Sequence, residues 1–341
     1  MQGGISILVS ANTRCADGEK GRRRPLRIHE RRVHLAPMSA LSTATASLPA
    51  PLVRDGSSLS VTDAFVECER IARAHYENFT LGSRLLPRRL RRHIAAIYAF
   101  ARTADDFADE EPDRDRALRA LDAWDLELES CYAGAARHPI FVALAETVRE
   151  FAIPIEPFQR LLTAFRMDAE FRGFATFDEL QHYCVHSANP VGHLVLYLFG
   201  HRDAARQARA DDICTALQLT NFWQDLAVDL AKGRIYLPRE DLARFGYSAD
   251  DLGRRALTPA FRELMAFECA RARGLFHRGL PLATMLERGP GREVRLFAGG
   301  GLAILDRLQA VDYDVFGARP TLSRWAKAAL VARTLLGGGG E

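Results

Sequence analysis

Apolar residues recur along most of this chain at steps of three and four, the period of helices buried along one face. The pattern runs over residues 60–76, 115–132, 139–151, 157–172, 178–186, 190–199, 211–231, 259–286 and 293–311. Ser60 followed by Asp63 reads as a capping-box-like start for the first of these. Alternation with a period of two is nearly absent, so strands are not expected. The longest apolar stretch, residues 190–200, is shorter than the roughly 20 residues needed to cross a bilayer and reads as a core helix. No fixed-period repeat emerges. The pattern predicts an all-α, single-domain, irregular helical bundle around a central cavity.

The ends behave differently. Residues 1–57 begin arginine-rich and continue as a Ser/Thr/Ala/Pro tract without helical period, the signature of a disordered N-terminal extension. There is no hydrophobic signal-peptide core, and a start at Met38 would account for the extension as well as a transit peptide would. Residues 58–335 form the expected domain, and residues 336–341 a flexible glycine-rich tail.

Charge and cysteine usage narrow the function classes. A formal charge of +3 and a pI near 8.6 over 341 residues are too mild to suggest nucleic acid. The densest basic run, Arg84 to His93, lies at an expected helix start, where it can be solvated or meet anionic lipid or a diphosphate. Cys15, Cys68, Cys131, Cys184, Cys214 and Cys269 show no C-x-x-C pair and no zinc spacing, which suits reduced, mostly buried thiols of a cytoplasmic protein. The N-F-T sequon at Asn78 means little without a secretory context.

Two segments carry chemistry. In "YAFARTADDFADE", Tyr98, Arg102, Asp105 and Asp109 follow one another at helical steps of four, three and four, a single stripe from which Asp106 departs. In "LQLTNFWQDLAVDLAKGRIYLP", Gln218, Asn221, Asp225 and Asp229 form a second stripe in an otherwise apolar helix. That helix should stop at Lys232-Gly233, leaving Lys232 and Arg234 at the end of the column. Like charges at i, i+4 cost a few tenths of a kcal/mol unless a cation lies between them. Mg²⁺ takes one or two protein carboxylates and completes its shell with water and phosphate oxygens. Two facing columns therefore suit a diphosphate held by several Mg²⁺ ions, with Asp105, Asp109, Asn221, Asp225 and Asp229 as metal ligands and Arg102, Asn221, Lys232 and Arg234 on the diphosphate. Beside an apolar cavity this constellation suggests ionisation of a prenyl diphosphate. Phe79, Phe100, Phe165, Phe171 and Phe222 are candidate walls for the resulting cation.

These two boxes, "ADDFAD" and "NFWQDLAVDLAKGRIYLP", give the chain a clear resemblance to the squalene/phytoene synthase family over roughly residues 60–335. The resemblance implies the trans-prenyltransferase (isoprenoid synthase) helical fold, a Mg²⁺-dependent diphosphate site and isoprenoid chains of farnesyl length or longer. By match, Asp105, Asp109, Asp225 and Asp229 are the acidic positions, with Tyr98, Arg102 and Asn221 beside them.

Departures from the family pattern refine the expectation. "YCVHSANPVG" puts Val185 where the family's catalytic tyrosine usually stands, and "GGGLAILD" puts Gly301 near the place of a second tyrosine. "SANPVG" and "ENFTLGSRLLPRR" are similar to the branch that makes hydroxysqualene in bacterial hopanoid biosynthesis. That branch ionises presqualene diphosphate and lets water capture the rearranged cation. His186, Ser187 and Asn189, beside a helix break expected at Pro190, are candidates for holding that water. The absence of a strand-G-x-G-x-x-G-helix unit lowers a reductive, nicotinamide-dependent reaction. Implied partners are presqualene diphosphate, the inner face of the membrane as a peripheral surface and other hopanoid-pathway enzymes. The alternatives are head-to-head coupling of two prenyl diphosphates and a non-catalytic helical assembly factor of the same fold.

Overall fold

The computed structural model describes residues 60–74 and 87–336, and every regular element among them is an α-helix. The expectations for residues 1–57, Cys15, Asn78, Phe79, Arg84 and the tail beyond 336 lie outside the described residues. The helices are α1 (Val61–Ala74), α2 (Arg88–Glu110), α3 (Arg114–Tyr132), α4 (Pro139–Phe151), α5 (Glu156–Ala169), α6 (Phe177–Ser187), α7 (Asn189–Leu198), α8 (Ala204–Ala231), α9 (Arg239–Arg244), α10 (Ala249–Gly253), α11 (Pro259–Gly279), α12 (Leu282–Met285), α13 (Arg288–Ala310) and α14 (Arg324–Leu336).

Local chemistry explains most of the boundaries. The Ser60 hydroxyl accepts from the Asp63 amide at 3.1 Å and caps α1. Asp113, Thr176 and Thr258 cap α3, α6 and α11 in the same way. Gly233, with φ of 73°, follows Lys232 at the end of α8. The expected break near Pro190 is present: α6 ends at Ser187, Ala188 is its C-cap, and α7 starts with Pro190 in its first turn.

Several elements differ from the periodic pattern, among them the short helices α9 and α10, which it does not predict. The helix expected over 211–231 begins at Ala204, capped by Asp203, because its first turns are largely solvent-facing and carry no apolar period. The helix expected over 259–286 stops at Gly279 and resumes as α12, since Pro281 has no N–H to continue the ladder. α13 begins at Arg288 rather than 293, because Pro290 sits in its first turn, where a missing N–H costs nothing. α14 is alanine-rich and weakly patterned, and was not expected as a helix at all.

Packing sets α2 and α8 in the middle. α2 is buried nearly all round from Leu90 to Ala108, and α8 is buried from Ala210 to Leu226. An apolar cluster of α1 to α5 and α7 encloses α2. A second, from the inner faces of α6, α8, α9, α11 and α13, encloses α8. α7 crosses α8 so closely that a Cβ on Gly192 would lie 2.7 Å from Cys214 Sγ. The two helices that bear the acidic columns are thus enclosed by apolar packing, while their acidic ends remain polar. The described cysteines are free and buried, and burial pushes thiols such as Cys68 and Cys214 up to about 12. No described helix is long and apolar enough to cross a membrane.

Candidate active site

The column on α2 forms as its spacing requires, and each aspartate meets an arginine. Arg102 Nη1 donates to Asp105 Oδ2 at 3.2 Å, and the same guanidinium reaches Asp106 and, at 3.5 Å, Glu110. Asp106, off the stripe by helical angle, is therefore drawn in by the length of the arginine side chain. Asp109 Oδ1 accepts from Arg234 Nη2 at 2.7 Å. Tyr98 is buried below them, its phenol pushed up to about 12 by desolvation.

On α8, Gln218, Asn221 and Asp225 are buried and Asp229 lies one turn further on. Asp225 is gripped by Arg319, through Nε and through Nη2 at 3.1 Å. Gln224 Nε2 donates to the Pro320 carbonyl at 2.5 Å and ties the same loop down. The buried Asn221 amide nitrogen has no hydrogen-bond partner, so this amide is open to a ligand or water. Lys232, exposed at the end of α8, and Arg234 both lower the acidity cost at Asp229 by their charge.

The segment after α8 brings the columns together. Arg234 is bonded to Asp109 and lies within charge–charge range of Asp168 and Asp229. Tyr236 stacks on Phe222 at 3.8 Å and 7°, and packs beside Phe171 and Phe174. Of the five candidate wall residues, Phe171 and Phe222 therefore belong to this neighbourhood. Phe100 instead packs against Trp124, Phe141 and Phe158 in the first cluster, where Phe165 also lies.

Negative charge exceeds what the arginines neutralise. Burial first, and then the neighbouring Asp109, push the Asp105 carboxyl up to about 7. Burial and Asp225 push Asp229 up to about 6. Carboxylates in this state stabilise an added cation. The donors are hard oxygen atoms, which fit Mg²⁺, and Asp105, Asp109, Asn221, Asp225 and Asp229 are the residues able to hold it. Among the described residues no three His, Cys, Asp or Glu side chains converge into a closed metal cage. Mg²⁺ needs none, because water and phosphate oxygens complete its shell.

Four further residues border the candidate site without a role in the sequence analysis. Asp168 on α5 is buried and accepts the Tyr183 hydroxyl at 2.9 and 3.0 Å on its two oxygens; burial raises it to about 7. Its signal was available: an acid at the i+7 position of the Leu161–Phe165 apolar stripe is an anomaly. Tyr183 and Tyr236 stand inside the quoted motifs "YCVHSANPVG" and "GRIYLP" but carry no role from spacing alone. Arg319 lies in a loop and had no signal of its own.

The three water-holding candidates separate. Ser187 Oγ is buried without a hydrogen-bond partner, and Asn189 Oδ1 accepts from Thr215 Oγ1 of α8 at 2.9 Å. His186 lies beside His182, at 4.5 Å between ring centres, and bonds the His182 carbonyl at 2.9 Å on the exposed side of α6. Val185 is 37% exposed, and a Cβ on Gly301 would lie 2.2 Å from Phe276 Cζ, so the Phe276 ring fills the space beside that glycine.

Comparison with known proteins shows the family and the fold. The model of the family described as squalene/phytoene synthase matches residues 72–326. A phytoene synthase of Mycobacterium tuberculosis is 35% identical over 283 residues, covering 81% of this chain and 91% of that protein. A phytoene synthase of Arthrospira platensis is 33% identical over 286 residues, covering 78% and 90%. Among solved structures, the squalene synthase HpnC from Alicyclobacillus acidocaldarius is 41% identical, with a TM-score of 0.72 over 75% of this chain and 97% of that one. A dehydrosqualene synthase solved with a ligand is 27% identical, with a TM-score of 0.73 over 81% and 96%.

Proposed function

We propose that this chain, which belongs to the squalene/phytoene synthase family, ionises presqualene diphosphate and lets water capture the rearranged cation, releasing hydroxysqualene and diphosphate. Arg102, Lys232, Arg234 and Arg319 bind and orient the diphosphate through charge-assisted hydrogen bonds. Mg²⁺, when bound by the two aspartate columns and Asn221, supplies Lewis-acid neutralisation of the leaving group. The aromatic faces of Phe171, Phe222 and Tyr236 offer their negative quadrupoles to the cation and keep bulk water away. Ser187 and Asn189, with His186 as the third candidate, hold the one water that is admitted. Its oxygen forms the new C–O bond, and the proton it loses leaves with the released diphosphate.

The observation that carries this reading is the pair of positions 185 and 301. Where coupling enzymes of the family usually carry tyrosines, this chain has Val185 and Gly301, and the Phe276 ring fills the space beside the glycine. The 41% identity with HpnC supports a squalene-directed branch. The second reading, head-to-head coupling of two prenyl diphosphates, is favoured by the curated relatives, which are phytoene synthases. Peripheral contact with the inner face of the membrane and with other enzymes of hopanoid formation belongs to the first reading.

The deciding experiment incubates purified protein with Mg²⁺ and presqualene, farnesyl or geranylgeranyl diphosphate and identifies the lipid product. Hydroxysqualene from presqualene diphosphate is expected. A hydrocarbon made from two farnesyl or geranylgeranyl units, with presqualene diphosphate yielding no alcohol, would favour coupling. Within the first reading, Ser187→Ala or Asn189→Leu should shift product from alcohol to hydrocarbon dienes while diphosphate release continues. His186→Leu tests the exposed candidate in the same assay.

A further inference from the structure

α14 is amphipathic in the unusual sense. Its inner side packs on α13, where the Leu330 methyl groups sit over Gly299 and Gly300. Its opposite side turns Trp325, Ala329 and Ala332 to solvent at helical steps of four and three, with Ala328 beside them. Trp325 is 86% exposed, whereas Trp124 and Trp223 are fully buried. Exposed Arg324 and Arg333 border this apolar stripe. From Val315 to Gly340 the sequence has Arg319, Arg324, Lys327 and Arg333 and not one Asp or Glu.

We propose that the outward face of α14 is a docking surface for an anionic lipid bilayer, with Trp325 seated among the headgroups and Arg324 and Arg333 on their phosphates. A tryptophan at the edge of an apolar stripe, bordered by arginines, matches the interface of a bilayer, which is apolar below and negatively charged above. A second copy of this chain fits less well, because two acid-free basic faces would meet with like charge. The surface is also joined to the site. Lys327, on the inner side of α14, lies beside Arg319, the arginine that grips Asp225. A long apolar substrate or product would then pass between bilayer and site over a short distance. The inference deepens the membrane contact of the proposed function by naming its surface, and does not depend on which prenyl product is made.

Because the other two tryptophans are buried, the fluorescence of the intact protein reports on Trp325 when vesicles are added. With phosphatidylcholine/phosphatidylglycerol vesicles at low salt, emission should move to the blue and become protected from an aqueous quencher; high salt or pure phosphatidylcholine should weaken both effects. Replacing Arg324 and Arg333 together by Gln should weaken partitioning about thirtyfold, and Trp325→Ala should reduce flotation with the vesicles. Arg88→Gln with Arg89→Gln, in the basic first turn of α2, should leave partitioning as it is. If wild-type protein floats while Trp325 stays fully quenchable, or if the α14 variants float as well as wild type, the surface is elsewhere and this inference falls although membrane contact stands. No flotation at low salt removes both. Self-association that protects Trp325 without vesicles would assign the face to a second copy and also overturn the proposal. Product formation in detergent micelles, measured alongside, is independent of all these outcomes and tests the proposed reaction.

Discussion

Asp105→Asn should stabilise the metal-free protein and disable the enzyme. Asp105 is 6% exposed and its compensating neighbour is Arg102 at 3.2 Å. Burial and Asp109 raise its carboxyl from 3.8 to about 7, whereas the unfolded chain titrates near the ordinary value. Between those values the native state holds a proton that the unfolded state has lost. Stability therefore falls as pH rises through the window, and the penalty is complete above about pH 7. Roughly three units at about 1.36 kcal/mol each amount to about 4 kcal/mol. Asparagine keeps the shape and removes the charge, but it takes from Arg102 one of the carboxylates it pairs with, Asp106 and Glu110 remaining within its reach. The net gain should then be about 2 kcal/mol at pH 8 in EDTA, a rise in Tm of about 3 °C. Thermal unfolding followed by circular dichroism in EDTA measures it, and the gain should shrink toward zero at pH 4. With Mg²⁺ and substrate, turnover should fall at least about a hundredfold. A variant less stable than wild type at pH 8 without metal would refute the reasoning, because it would make Asp105 a satisfied partner of Arg102 rather than surplus negative charge.

Three further outcomes follow from the packing around the site. Arg319→Gln removes the guanidinium from Asp225 and should lower kcat/KM for a prenyl diphosphate by about tenfold to a hundredfold, the worth of a hydrogen bond to a charged group; unchanged steady-state kinetics would make Arg319 a strap for its loop alone. Gly301→Ala adds a Cβ 2.2 Å from Phe276 Cζ. Overpacking of about 1–3 kcal/mol then opposes about 1 kcal/mol gained from alanine in a helix. Urea unfolding should show a net loss that Phe276→Leu relieves in the double variant, and equal losses with and without Phe276→Leu would remove the clash as the cause. Arg271→Leu should cost about 3–5 kcal/mol, because Asp241, bonded to it at 2.7 Å, stays buried without its cation beside Glu268, whose carboxyl burial pushes up to about 8. Arg271→Lys should recover part of this in the same unfolding measurement; no recovery would point to the Phe177 and Phe267 faces, which the guanidinium covers at 3.8 and 4.4 Å, as the larger contribution.

Much of the candidate site's geometry was legible because it is written at short range. Arg102 meets Asp105 one turn away on a single helix, and Asp225 and Asp229 share a face by spacing alone, so the periodicity of α2 and α8 was enough. The stop at Lys232-Gly233 and the break before Pro190 are equally local, being matters of backbone hydrogen bonding within a few residues. His186 shows the limit of that reasoning. It stands one residue from Ser187 in the sequence, yet the 100° step of the helix turns it toward His182 while Ser187 is buried. Asp168 could have been noticed as an acid on an apolar stripe, but nothing near it in the chain announced Tyr183 as its donor.

What the sequence by itself determined is the helical class, most helix boundaries and the two acidic columns, since each depends on neighbours within one or two turns. The tertiary structure alone decided which cations complete those columns: Arg234 reaches Asp109 across 125 residues and Arg319 reaches Asp225 across 94. Contacts at such separations have no local periodicity. They exist only once burial of the apolar faces of α2 and α8 has brought distant loops to the ends of both helices, where carboxylates left in an apolar surround hold whatever positive charge the fold delivers.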